Sequence, residues 1–98
     1  MVEVKVHIPA RASPASIPHI VEQACATEGL TLTLKGTLAK YPHCVHWHFK
    51  KDKERGALEI TWWEWERRLW FKVAAGRTGA WIEEALARLK AQIEHALK

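Results

Sequence analysis

The chain has 98 residues, which is room for one domain and one hydrophobic core. Its composition is that of an ordinary globular protein, with 48% hydrophobic and 27% charged residues, and this excludes a low-complexity or fibrous class. The net charge of +4 permits an anionic partner but falls well short of the dense basic stripe of a dedicated nucleic-acid-binding protein. We therefore predict a single domain over residues 1–98.

A strand and a short helix are the first two predicted elements. Apolar and polar residues alternate from position 2 to position 8, which is typical of a strand with one buried face. Pro9 ends this strand. Ser16 is a candidate N-cap, and apolar residues at helical spacing follow it as far as Gly29, a typical helix stop. This pattern predicts an amphipathic helix between Ser16 and Gly29.

The period returns to two from Leu30 to Val73, and this region is predicted to form four strands joined by short turns. The predicted turns are Tyr41-Pro42, the charged segment 51–56 and Trp65-Glu66. The buried side of the first of these strands is predicted to carry Leu30, Leu32, Leu34 and Leu38. The turns also set a register in which apolar residues pair with apolar residues: Leu38 with Val45, Leu34 with Phe49, Phe49 with Leu58, Trp47 with Ile60, Val45 with Trp62, Trp62 with Leu69, Ile60 with Phe71 and Leu58 with Val73. A slip of one residue would place apolar rows against polar rows, so the agreement favours an antiparallel meander.

A second helix is predicted to start at Thr78 or Gly79, because one apolar stripe runs from Trp81 to Leu97. The order is then β-α-β-β-β-β-α, an α+β fold with one antiparallel sheet and both helices on one face. In element order it is similar to one repeat of the TATA-binding protein fold and, more loosely, to helix-grip folds. This resemblance covers the whole chain but no motif, so it implies no function. The position of the first strand in the sheet is left open.

The same register predicts three rows of side chains on the helix-free face. These rows are Lys35, His48, Glu59 and Lys72; Thr37, His46, Thr61 and Trp70; and Ala39, Cys44, Trp63 and Arg68. Cross-strand pairs of opposite charge contribute about 0.2–1 kcal/mol each, which explains the charged row without any ligand. They do not explain Trp63 and Trp70, since two large rings on an uncovered face are typical of a contact site.

We therefore predict a small cytoplasmic binding or interaction module that acts through the helix-free face. Homodimerisation is the favoured role, because aromatic and arginine side chains are enriched in interfaces and twofold dimers are common. The alternative is a single-stranded nucleic acid or another anionic ligand on the same face. Its rings would stack on Trp63 and Trp70 while Lys35, Arg68 and Lys72 bind phosphates.

A second alternative is a metal-binding protein. Cys44, His46 and His48 share one side of a strand, and Glu59 lies opposite His48, where it can add an oxygen ligand. The ligand set is incomplete, so no metal or cofactor is predicted, and His46 and His48 are named as candidates only.

The sequence contains no catalytic motif, and we expect a protein that is not an enzyme. A thiol and base pair at Cys44 and His46 would stand about 6.6 Å apart along the strand, too far for direct activation. Cys25 and Cys44 do not form a disulfide framework, and no segment approaches the ~18 apolar residues of a membrane span. We expect no signal peptide, since an alternating strand starts at position 2. The sequence does not identify a ligand, a pathway or an oligomeric state.

Overall fold

Residues 2–98 are described by a computed structural model, which has the predicted α+β class and element order. The strands are β1 (Val2–Val6), β2 (Thr31–Leu38), β3 (Tyr41–Lys50), β4 (Leu58–Trp63) and β5 (Arg68–Val73), and the α-helices are α1 (Ile17–Thr27) and α2 (Ala80–Ala96). A single turn of 3₁₀ helix, Pro14–Ser16, precedes α1, and a second, Glu64–Glu66, joins β4 to β5.

The strands form one antiparallel sheet in the order β1-β5-β4-β3-β2. Strand β1, whose position the sequence left open, lies at the edge beside β5, with Val2 opposite Val73 and Val6 opposite Leu69. The last strand of the meander therefore pairs with β1 as well as with β4, and β2 forms the opposite edge of the sheet.

The predicted register of β3, β4 and β5 is confirmed at every pair. Phe49 lies opposite Leu58, Trp47 opposite Ile60 and Val45 opposite Trp62 across the first turn. Across the second turn the pairs are Trp62 with Leu69 and Ile60 with Phe71, and Glu59 with Lys72 fixes the same register next to Leu58 and Val73. A turn of fixed length sets the pairing of the strands on either side. The turn positions and the alternation together were therefore sufficient to predict this register.

The predicted turn at Tyr41-Pro42 is wrong, because both residues belong to β3. The chain reverses earlier, at residues 39–40, and Leu38 pairs with Tyr41. The predicted pairing of Leu38 with Val45 is wrong for the same reason. The turn that forms lies two residues earlier than the sequence pattern indicated.

Strand β2 also departs from simple alternation, since the register shifts between Leu32 and Leu34 and again further along. Leu34 consequently lies opposite His48, where Phe49 was predicted. A bulge adds one residue to one strand and so moves the residues after it to the other face. Leu32 and Leu34 are 43% and 48% exposed, so the prediction that both are buried is wrong, whereas Leu30 is buried as expected.

Both helices cover the same face of the sheet, as predicted. Helix α1 contributes Ile17, Val21, Ala24 and Cys25 to the core, and α2 contributes Trp81, Ile82, Ala85, Leu89 and Ile93. These residues form a single cluster with the alternate residues of the sheet, among them Trp47, Ile60 and Phe71. Among residues 2–98, the opposite face of the sheet therefore carries no helix.

Helix α1 ends at the predicted glycine, but its predicted N-cap does not form. Gly29 has a positive φ of 74°, a conformation that glycine adopts without strain, and it follows the helix as predicted. Ser16 stands at the N-cap position but does not cap the helix, because its hydroxyl donates to the carbonyl of Ser13 at 2.8 Å. Neither α1 nor α2, nor any other helix in residues 2–98, is long and apolar enough to cross a membrane.

Candidate functional site

The helix-free face of the sheet carries two rows of side chains that cross all five strands. One row is Glu3, Lys72, Glu59, His48 and Leu34, and the next is Lys5, Trp70, Thr61, His46 and Gly36. A shorter third row contains Arg68, Trp63 and Cys44. The predicted rows are correct on β3, β4 and β5 and wrong on β2, where Leu34 and Gly36 occupy the positions given to Lys35 and Thr37.

Lys35 lies on the other side of the sheet, which corrects its predicted place on the helix-free face. It is opposite Trp47, and its ammonium group forms an ion pair with Glu22 of α1 at 2.6 Å. The indole Nε1 of Trp47 donates to the same carboxylate at 2.9 Å. These hydrogen bonds, from Lys35 first and then from Trp47, lower the pKa of Glu22 below its ordinary value. Lys35 therefore fixes α1 to the sheet and does not belong to a ligand-binding face.

Three aromatic rings form a cluster on the helix-free face. The ring centroid of Tyr41 lies 5.0 Å from that of Trp63 and 5.0 Å from that of Trp70, in tilted and edge-on arrangements. Such tilted and edge-on contacts are favourable geometries for aromatic pairs. The indole of Trp63 also donates to the carbonyl of Pro42 at 3.1 Å, which fixes its orientation. Tyr41 was not among the predicted site residues, because Tyr41-Pro42 was predicted to form a turn.

A pocket of about 440 Å³ lies beside this cluster, between β1 and the first residues of β5. Its polar lining contains three cationic side chains, Lys5, Arg67 and Arg68, and a single carboxylate, Glu3. Its remaining lining residues are Val6, His7, Ile8, Tyr41, Trp63, Leu69 and Trp70. Within residues 2–98, neither Lys5 nor Arg68 forms an ion pair. The pocket therefore combines aromatic rings with three cationic side chains and one carboxylate.

Arg67 shapes one wall of this pocket. Its guanidinium Nη2 donates to the carbonyls of Pro9, Ala10 and Ala12 at 2.8, 3.3 and 3.0 Å. These bonds hold the segment after β1 against the turn between β4 and β5. The side chain can reach the segment from a backbone with a positive φ of 50°, which no sequence pattern indicated. Lys5 was missed for a different reason, since its neighbours depend on where β1 pairs.

A second group of polar side chains, separate from the pocket, surrounds His46. The Nε2 atoms of His46 and His48 are 2.9 Å apart, and Glu59 Oε1 lies 3.5 Å from the first and 3.8 Å from the second. The other ring nitrogen of His46, Nδ1, lies 2.8 Å from Thr61 Oγ1. His46 is opposite Thr61 as predicted, but Gly36, and not Thr37, is its neighbour on β2.

Burial distinguishes the two histidines. His46 is only 6% exposed although it lies on the helix-free face, whereas His48 is partly exposed. Burial, together with the neighbouring His48, lowers the pKa of His46. A lowered pKa favours the neutral imidazole, the form in which a ring nitrogen has a lone pair available to accept a proton or a metal ion.

Both cysteines are free and buried. Burial, the largest cause, raises the pKa of the Cys25 thiol to about 12, and Glu22 and Glu28 add to this effect. The Sγ atom of Cys44 accepts a hydrogen bond from the backbone amide of Leu38 at 3.3 Å. Cys25 is thus an unreactive core residue.

Comparison of the chain with protein-family models, curated proteins and solved structures gives no match. The function is therefore inferred from the geometry of the helix-free face.

Proposed function

We propose that this protein is a binding module that takes an anionic ligand with a planar ring, a nucleotide or a segment of single-stranded nucleic acid, in the pocket between β1 and β5. The observation that carries the proposal is the union, in one pocket of about 440 Å³, of the Tyr41, Trp63 and Trp70 rings with the cationic groups of Lys5 and Arg68. Small-molecule pockets usually have volumes of about 300–1,000 Å³.

The two kinds of side chain would bind different parts of such a ligand. A base or another flat ring that stacks on an aromatic side chain contributes about 1–3 kcal/mol to binding, and this contribution depends little on which base it is. Phosphate groups are bound by lysine as a point charge and by arginine through its planar fork of donors. The rings and the cations lie next to each other in the rows of the sheet, with Lys5 opposite Trp70 and Arg68 opposite Trp63.

Homodimerisation through this face, the role that the sequence favoured, stays a prediction. Tyr41 packs against both Trp63 and Trp70, which leaves less apolar surface for a second copy to bury. A cytoplasmic location and the absence of enzymatic activity are also part of the proposal. The support for the location is the pair of free thiols at Cys25 and Cys44, because disulfides are rare in reducing compartments.

Titration with a short single-stranded oligonucleotide and with a mononucleotide, followed by tryptophan fluorescence, tests the proposal. Trp70→Ala should weaken binding by about 5-fold to 150-fold, the equivalent of one lost stacking contact. Trp65→Ala is the matched control, since Trp65 is 60% exposed and lies outside the pocket. Wild-type affinity in the Trp65→Ala variant and weaker binding in the Trp70→Ala variant would support the pocket.

The charge contribution is tested in the same titration at several salt concentrations. Lys5→Gln should weaken binding and reduce its salt dependence, because one phosphate contact is lost. Lys53→Gln removes the same charge from the exposed 51–56 loop and should change neither. No binding by the wild type at low salt would refute the proposal. Equal losses in the Lys5→Gln and Lys53→Gln variants would show a nonspecific charge effect and would refute the pocket as well.

A further inference from the structure

We propose that His46, His48 and Glu59 bind a divalent cation of the zinc type. This site is distinct from the ligand pocket, since none of the three residues lines that pocket. Their ligand-bearing atoms all lie within 4.8 Å of one another. Two histidine nitrogens and one carboxylate oxygen are an established ligand set for zinc and for other first-row divalent metals.

The distances between the three atoms match the size of such an ion. The Nε2 atoms of His46 and His48 and the Oε1 atom of Glu59 are separated by 2.9, 3.5 and 3.8 Å. A circle through three points at these separations has a radius of about 2.0 Å, and zinc binds imidazole nitrogen and carboxylate oxygen at about 2.0–2.2 Å. An ion near the centre of the triangle would thus reach all three ligands without movement of the backbone.

Strand geometry explains why these atoms converge. His46 and His48 are two positions apart on β3, so both side chains project from the same face. Glu59 is directly opposite His48 on β4, which brings its carboxylate within 4 Å of both imidazoles. Lys72 is the neighbour of Glu59 on β5, yet the carboxylate makes no ion pair with Lys72 within residues 2–98 and lies near the two histidines.

Thr61 orients the most buried ligand. Its hydroxyl oxygen lies 2.8 Å from His46 Nδ1. In the tautomer with the ring proton on Nδ1, His46 donates to this oxygen, and the lone pair on Nε2 faces His48 and Glu59, where the cation would bind. Histidine ligands of metals commonly have a hydrogen-bonded partner at the second ring nitrogen, and loss of that partner typically lowers metal affinity about 10-fold to 100-fold.

Gly36 provides room for a further ligand. It is opposite His46 on β2, and a Cβ atom added to it would meet no other atom within 4 Å. Three protein ligands with space beside them correspond to a zinc site whose fourth position is filled by water or by a bound molecule. The exposed side of His48 gives the ion a path from solvent.

Isothermal titration of untagged, chelator-treated protein with zinc chloride is the test. We expect one zinc ion per chain and a melting temperature that rises with zinc, because a ligand of the native state stabilises it by mass action. Glu59→Gln and His48→Gln should each weaken binding by at least about 10-fold, and Thr61→Val by about 10-fold to 100-fold. Glu59 and His48 are chosen over His46 because they are more exposed, and circular dichroism checks that each variant is folded.

His19→Gln is the matched control, since it removes an exposed histidine of α1 far from this face in the fold. It should bind zinc as tightly as the wild type. The proposal is overturned if the wild type binds no zinc. It is also overturned if folded Glu59→Gln or His48→Gln binds zinc with wild-type affinity, because the three ligands would then not act together.

Discussion

Two buried tryptophans on neighbouring strands provide a test of how much one indole hydrogen bond contributes to stability. Trp47 on β3 and Trp62 on β4 both face the helices and are 0% and 1% exposed. The Nε1 of Trp47 donates to Glu22 at 2.9 Å. The Nε1 of Trp62 is buried without a hydrogen-bond partner among residues 2–98. We predict that Trp47→Phe destabilises the protein more than Trp62→Phe.

The expected difference follows from these contacts. Both substitutions remove the same atoms from equally buried sites, so the loss of packing largely cancels between them. Trp47→Phe loses a hydrogen bond to an ionised group, which contributes about 1.5–3 kcal/mol, whereas Trp62→Phe removes an unpaired buried donor that costs about 1–3 kcal/mol. The low end of the first range applies because the side chain of Glu22 is 36% exposed and stays solvated, and the low end of the second range is taken for the Trp62 donor. Trp47→Phe should therefore cost about 2.5 kcal/mol more than Trp62→Phe.

Urea unfolding of the wild type and both variants measures this difference directly. The free energies of unfolding are comparable as long as the three proteins show the same dependence on urea concentration. Equal losses in the two variants would refute the reasoning, since they would mean that the two indole N–H groups contribute equally. A larger loss for Trp62→Phe would refute it as well.

Two further predictions concern a close backbone contact and an ion pair. Gly79→Ala should destabilise the protein by about 3 kcal/mol in urea unfolding, because the added Cβ would overlap the carbonyl oxygen of Arg55. Gly36→Ala, with open space around the added Cβ, should be neutral or slightly stabilising. Similar effects of the two substitutions would contradict this prediction. Glu22→Gln should reduce stability at neutral pH, and the deficit should shrink as the pH falls below 4.5. The reason is that the hydrogen bonds from Lys35 and Trp47 lower the pKa of Glu22 in the folded state, so the stabilisation is complete above the unfolded pKa and is lost as the pH falls through the folded pKa. Thermal unfolding across this range measures the effect, and a deficit that does not change with pH would contradict it.

The sequence was sufficient to predict the register of β3, β4 and β5. The turns that join these strands are indicated by the charged segment 51–56 and by Trp65-Glu66. A slip of one residue in the register would move residues such as Trp47 or Phe71 out of the core. Alternation of apolar and polar residues is sufficient to predict the register of a strand only where one face is buried and the strand has no bulge.

Strand β2 lies outside that condition. It is an edge strand with two register shifts, and its leucines at positions 32 and 34 are half exposed, so burial did not hold it to one pattern. The same bulge moved Lys35 to the helix side of the sheet. A short-range pattern contains no signal for a bulge in a strand that pairs on one side only.

The candidate sites were predictable in part for similar reasons. His46, His48 and Glu59 follow from the register of β3 and β4, so their shared face was expected, while the approach of their ligand atoms depends on rotamers. The pocket was not predicted, since Lys5 and Arg67 reach it only through the pairing of β1 with β5 and through the backbone of a turn.

The position of β1 has a consequence for the newly made chain. Within residues 2–98, the hydrogen-bonding partner of β1 is β5, the last strand of the sheet to be synthesised. Ribosomes add about 5–20 residues per second, so β1 leaves the ribosome on the order of seconds before β5 exists. During that interval Val4 and Val6, which later pack against the core, have no strand to pair with. The two chain segments that form one wall of the pocket thus meet only once β5 has been made, and the pocket is completed after the rest of the sheet.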